Sequence, residues 1–156
     1  MRVPVDWQWR RFSELTADEL YALLAARSKV FVIEQNCSFL DADGYDMHAW
    51  HLMGWADEPQ VLAAYLRLLE PGCKFAEPSI GRVLTTAAFR NCGLGREAMH
   101  RALRQASLRY PGRPVRISAQ ARLERFYCGM GFRAVSEPYQ EDGIVHLDML
   151  RPPSEA

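Results

Sequence analysis

Arg90-Asn91-Cys92-Gly93-Leu94-Gly95 separates two stretches of different hydrophobic period. Ahead of it, residues 79–89, "SIGRVLTTAAF", carry β-branched residues in the manner of a strand. Behind it Leu94, Ala98, Met99, Ala102, Leu103 and Ala106 recur at three and four, the spacing of a helix buried along one side. Two glycines one residue apart mark a backbone that takes an unusual path or approaches something closely. A glycine-bearing turn that opens a helix gathers free N–H groups at the positive end of the helix dipole, which suits an anion. The P-loop is excluded, because no Lys-Ser/Thr follows the glycines. A dinucleotide fingerprint is excluded too, because the spacing is not G-x-G-x-x-G and no βαβ unit begins the chain.

Outward from this turn the other elements fall into place. Val3, Val5, Trp7 and Trp9 alternate as in a first strand. Thr16 and Glu19 have the spacing of a capping box, with Leu20, Leu23, Leu24, Arg27, Val30 and Phe31 following at helical intervals. Residues 37–49, "CSFLDADGYDMHA", read as a polar loop that turns at Asp43-Gly44. Residues 50–55 and 61–70 read as a hairpin joined through "ADEPQ", and 70–78, rich in Pro and Gly, as a further turn. Pro111-Gly112 closes the glycine-turn helix, and most of its outward arginines (Arg96, Arg101, Arg104, Arg109) read as a solvated face. Then come a short strand at 114–118, a short helix within 121–132 that stops near Gly129 or Gly131, and a closing hairpin of "RAVSEPY" and "IVHLDML". The order β-α-β-β-β-α-β-α-β-β predicts one α/β domain over residues 1–156, a mixed sheet with helices on both faces. Strand, glycine turn, helix and strand together predict a right-handed parallel crossover.

Composition narrows the function. Lys plus Arg and Asp plus Glu both number 19, so zero net charge argues against bulk attraction to nucleic acid or an anionic membrane. No apolar run is long enough to cross a bilayer, and the first residues lack an apolar signal core. Cys37, Cys73, Cys92 and Cys128 form no C-x-x-C pair. Reduced thiols in a cytoplasmic protein are therefore expected, with no metal site.

About thirty residues past the glycines stands "SAQARLERFYCGMGF" (118–132), with Phe126-Tyr127 followed by Gly131-Phe132. Together with Arg90-x-x-Gly93-x-Gly95 and the order of elements, this segment resembles the GNAT superfamily of acyl-CoA-dependent N-acyltransferases. Residues 20–46 and 118–149 are similar, more specifically, to the bacterial ElaA group. Gln120 stands where many superfamily members have Asn, and a glutamine also offers both a donor and an acceptor.

The resemblance implies a GNAT fold and acetyl-CoA as co-substrate. Val83 and Thr85, with Leu84 between them, would pair through their backbone with the pantetheine arm, and Gln120 would also contact it. Amides of Asn91, Cys92, Gly93, Leu94, Gly95 and Arg96 would hold the pyrophosphate, braced by Arg90. An amine of a small molecule or peptide would attack the thioester directly, with a strand amide near Thr85 stabilising the oxyanion. Tyr127 stands at the family's acid position. Candidates for the base are Glu34, His51, Glu141, Asp142 and His146, with Glu34 and His51 foremost as catalytic residues. Asp41, Asp43, Asp46, Glu141 and Asp142 would favour a cationic acceptor, or else serve as solvated turn residues. A homodimer is compatible with the reading. Two other readings stay open: an acyl-CoA-binding sensor without catalysis and, more distantly, an acyl-homoserine-lactone-synthase-like acyltransferase, echoed in residues 26–46.

Overall fold

The computed structural model describes residues 3–56 and 60–154. Strand β1 spans Val5–Arg11, and helix α1 spans Ala17–Arg27. The capping box at the start of α1 is present in both directions: Glu19 N–H donates to Thr16 Oγ1 (3.1 Å) and Thr16 N–H to Glu19 Oε1 (2.9 Å). The helix continues as a π-helical segment, Ser28–Glu34. Strands β2 (Ala49–Ala56) and β3 (Val61–Leu69) pair antiparallel, while residues 57–59 of their expected "ADEPQ" link lie outside the described residues. Strand β4 (Ser79–Thr85) leads through the glycine turn into helix α2 (Leu94–Arg109). Strand β5 (Val115–Gln120), helix α3 (Glu124–Cys128) and strands β6 (Arg133–Ala134), β7 (Tyr139–Glu141) and β8 (Ile144–Arg151) follow.

The sheet runs β1-β2-β3-β4-β5-β8-β6, with β7 also paired to β8. Strand alternation sorts its side chains onto two layers. Leu52, Leu66, Leu68, Ile117 and Met149 pack with α2, whereas Met53, Tyr65 and Leu84 pack with α1. The expected single strand "RAVSEPY" is instead two short ones. Between β6 and β7 the Asp148 N–H donates to Ser136 Oγ (2.9 Å) in place of a backbone carbonyl, and Pro138 has no N–H to give.

Two irregularities shape the site. Strands β4 and β5 are parallel neighbours, yet they pair only at Ser79 and Arg116, so they diverge from there on. Strand β4 also carries a bulge, where the register against β3 slips between Tyr65 and Arg67 and Arg82 takes φ = 54°. A side chain other than glycine is rare at that φ, so something must hold it.

Candidate active site

A cavity of about 350 Å³ opens where β4 and β5 part. Ile80, Gly81, Arg82 and Val83 line it from β4, Ile117, Ser118 and Gln120 from β5, and Leu123 and Tyr127 from the α3 side. The hairpin of β7 and β8 adds Glu141, Asp142, Ile144 and His146, and the loop after α1 adds Gln35, Cys37, Phe39 and Leu40.

Thr86 N–H donates to Ala63 O on β3 (3.0 Å). By strand alternation, the neighbouring Thr85 amide points to the opposite edge, into the parting. Leu84 is buried among α1 side chains, so its backbone rather than its side chain is what it can offer a ligand.

Below the parting, the turn is built as an anion cradle. Asn91 and Gly93 both have positive φ, 63° and 79°, and Gly93 caps α2. The N–H groups of Leu94, Gly95 and Arg96 open that helix ahead of its first bond, from Glu97 N–H to Gly93 O (3.1 Å). The two glycines differ in purpose. A side chain at Gly93 would be strained by its φ, though nothing lies within 4 Å; one at Gly95 would meet Phe126 and Thr85 only at 3.9 Å. Arg90 donates from Nε to Thr85 O (3.2 Å) and from its guanidinium to Glu34 Oε1 (2.5 Å), so Glu34 sits beside the turn, outside the cavity lining. Arg96 stacks on Phe126 at 5.5 Å, and Cys92 Sγ donates to Arg90 O (3.4 Å). Gln120 donates to Gln35 Oε1 (3.1 Å) and accepts from Arg122 Nε (3.1 Å), which fixes its amide at the cavity wall. These groups fit an acyl-CoA: an open strand edge for the pantetheine amides and an N–H-rich, positively polarised turn for the pyrophosphate.

Tyr127 is buried, and its ring packs edge-on against Phe126 and Phe132. Among the described residues no protein group hydrogen-bonds its hydroxyl, although the residue faces the cavity. Burial pushes its phenol up to about 12, against a weak opposing pull from Arg122, so it holds its proton at neutral pH.

The acidic loop is one side of a network of buried ion pairs. Arg27, fully buried, donates to Asp41 Oδ2 (2.8 Å) and Asp46 Oδ1 (2.6 Å). Arg67, 1% exposed, reaches Asp43 (2.5 and 2.8 Å) and Asp46 (2.9 Å). Arg82 donates to Asp41 Oδ1 (2.8 Å), which pins the strained bulge. Burial alone would raise the carboxyls of Asp43 and Asp46. The hydrogen bond and charge of Arg67 on the first, and of Arg27 on the second, hold both below the usual carboxylate range. Asp41, Asp43 and Asp46 are thus neutralised three against three, and the expectation that they select a cationic acceptor gives way to a structural role. Two signals in the sequence foreshadow this: Arg27 stands on the apolar stripe of its helix, and Arg67 shares a strand face with Tyr65 and Leu69 in a run that is apolar on both faces.

His51 joins the same network. It is fully buried, with Nδ1 2.7 Å from Tyr65 Oη and Nε2 2.9 Å from Asp46 O. Burial lowers its pKa. Both ring nitrogens are engaged and neither reaches the cavity, so the ring is occupied with structure where the sequence suggests a base.

Residues 51–151 match the family model of the acetyltransferase (GNAT) domain. The chain belongs to the GNAT acetyltransferases. Within that family it is 40% identical to protein ElaA of Escherichia coli over 149 residues, 94% of this chain and 96% of ElaA. The crystal structure of E. coli ElaA superposes with a TM-score of 0.88 at 39% identity, over 95% of this chain and 99% of that one. An acyl-CoA N-acyltransferase from Pseudomonas aeruginosa superposes with a TM-score of 0.89 at 45% identity, over the same shares. The acyl-homoserine-lactone synthase LasI has the same fold, with a TM-score of 0.73, but at 13% identity over 95% of this chain and 89% of its own it shares the fold alone. Membership makes this GNAT protein an acyltransferase that uses an acyl-CoA. Among the described residues no group of acidic, histidine or cysteine side chains has the arrangement of a metal site, and no helix is long and apolar enough to cross a membrane.

Proposed function

We propose that this protein is an acetyl-CoA-dependent N-acetyltransferase that moves an acetyl group to a primary amine of a small molecule or peptide. The observation that carries the reading is the Tyr127 hydroxyl, turned to the cavity at the parting of β4 and β5 with no described protein partner. A core tyrosine would have its hydroxyl bonded within the protein.

Bound acetyl-CoA would supply an acetyl group activated as a thioester. The amides of Asn91 to Arg96 hold its pyrophosphate, and Arg90, held beside the turn by Glu34 and Thr85 O, adds its charge. Backbone groups of Val83 to Thr85 extend the sheet onto the pantetheine arm, and Gln120 offers it an amide. The Thr85 amide is placed to stabilise the oxyanion that forms when the amine attacks. Tyr127 then supplies the proton that the departing sulfur needs. With Asp41, Asp43 and Asp46 paired to arginines, Glu141 and Asp142 are the carboxylates that remain at the cavity to attract an ammonium. Four unpaired cysteines support a reducing, cytoplasmic setting.

An amine panel offered with acetyl-CoA, followed by thiol release and by mass spectrometry of the products, tests the reading. Acetylated amine with stoichiometric free thiol is expected. Tight acetyl-CoA binding without transfer to any amine would favour the sensor instead.

A further inference from the structure

The reaction needs a group that removes a proton from the acceptor's ammonium before attack. Glu34 is committed to Arg90, and both nitrogens of His51 are engaged. His146 is placed differently. Its Nδ1 lies 2.8 Å from Ile144 O, and a carbonyl can only accept, so in the neutral ring the hydrogen sits on Nδ1 and Nε2 is left with a lone pair. The ring stacks on Tyr139 (centroids 6.1 Å apart, planes at 23°), which fixes its plane, and it lines the cavity.

The faces of the sheet add a second observation. On β8, Leu147 and Met149 point into the core that contains Tyr127, so His146 and Asp148 face the other way. The proposed acid and the imidazole therefore reach the cavity from opposite faces of the sheet. That separation suits a reaction in which the amine gains access on one side of a carbonyl and the sulfur departs on the other.

We infer that His146 is the general base, taking a proton at Nε2 from the acceptor's ammonium; the inference rests on the N-acetyltransfer reading above. Glu141 Oε2, 3.7 Å from Nε2, stabilises the imidazolium that results. The other groups around the ring have their own partners or charges. Tyr139 on β7 donates to Asp148 Oδ1 (2.6 Å), and Asp148 is paired with Arg116 of β5 (2.7 Å). Ser118 and Gln120 of β5 are neutral, and Asp142 lies in the hairpin turn with φ = 50°. Protons balance. The ammonium loses two on its way to an amide; one leaves to solvent through His146, and the other replaces, by way of water, the proton Tyr127 gave to sulfur.

The test is the pH dependence of kcat/KM for the acceptor in wild type, His146→Gln and Glu141→Gln, with acetyl-CoA affinity measured by calorimetry on each. Wild type should gain rate along one limb as pH rises, as a base that must be unprotonated requires. In His146→Gln, kcat should fall about 10²–10⁴-fold, that limb should vanish, and acetyl-CoA affinity should stay. In Glu141→Gln kcat should fall as well, by less than in His146→Gln, because the protonated ring loses its neighbouring carboxylate. Imidazole in solution should restore part of the rate to His146→Ala. A limb that survives in His146→Gln overturns the assignment. If His146→Gln loses its fold, an unchanged kcat in Glu141→Gln overturns it equally. A wild-type protein that binds acetyl-CoA and acetylates no amine overturns the N-acetyltransfer reading itself, and the base with it.

Discussion

Ring and hydroxyl of Tyr127 sit in different surroundings, the one packed between Phe126 and Phe132 and the other open to the cavity. Tyr127→Phe keeps the ring and removes only the proton donor. Its kcat should fall about 10²–10⁴-fold, with acetyl-CoA affinity and thermal midpoint close to wild type. An internally bonded hydroxyl would instead cost about 1 kcal/mol of stability when removed. Kinetics and a melting curve on one preparation separate the two, and an intact kcat with a lower midpoint would remove Tyr127 from the chemistry. Single residues were unevenly legible in the sequence. Tyr127 could be singled out because Phe-Tyr and Gly-Phe bracket it at fixed spacing. His146 was only one of several acidic or imidazole candidates. What distinguishes it is a carbonyl two residues back, brought to Nδ1 by the hairpin, and hydropathy carries no trace of such a contact. Gly93 and Gly95 looked alike for the same reason, until backbone angles separated the one that needs glycine from the one that tolerates a methyl group.

The elements themselves are legible in the sequence, because capping and period are local. Thr16 with Glu19, and the apolar stripe of α2, are present as spacing predicts. The pairing of the loop from Asp41 to Asp46 is not legible in the sequence, because its partners come from three other places: α1, β3 and the β4 bulge. Asp46→Asn should therefore act on stability rather than on acceptor KM. It weakens the pairing of two buried guanidiniums at once, and breaking a buried pair typically costs about 3–5 kcal/mol. Chemical denaturation checks this; a normal midpoint with a raised acceptor KM would return the loop to substrate selection. The same network sets an acid response. Asp43 and Asp46 have lower pKa values folded than unfolded, so their contribution is whole above the unfolded value of about 3.9 and fades as pH falls below it. His51 is also depressed, so its share is present above about 6.5 and declines below that. Midpoints between pH 8 and pH 3 should show a gentle decline first and a steep one second. In His51→Gln the gentle decline should be absent.

Across the whole molecule, the sheet is two leaves held at one corner. Strands β1 to β4 form one leaf and β5 with β6, β7 and β8 the other, and their one register pair is Ser79 with Arg116. The order of strands could be read from the chain, but the parting could not, because it depends on how far two neighbours stay in register. A second consequence concerns exchange with deuterium. Amides in the central strands of a sheet are ordinarily among the last to exchange. Here Thr85 lies on a central strand, and strand alternation turns its N–H into the parting, while Thr86, one residue on, is bonded to Ala63. Neighbouring amides should thus differ sharply, fast at Thr85 and slow at Thr86, when followed by NMR in heavy water. Added acetyl-CoA should close that gap by protecting Thr85 while leaving Thr86 as it was. The middle of the sheet would then behave as an edge until the ligand turns it back into an interior.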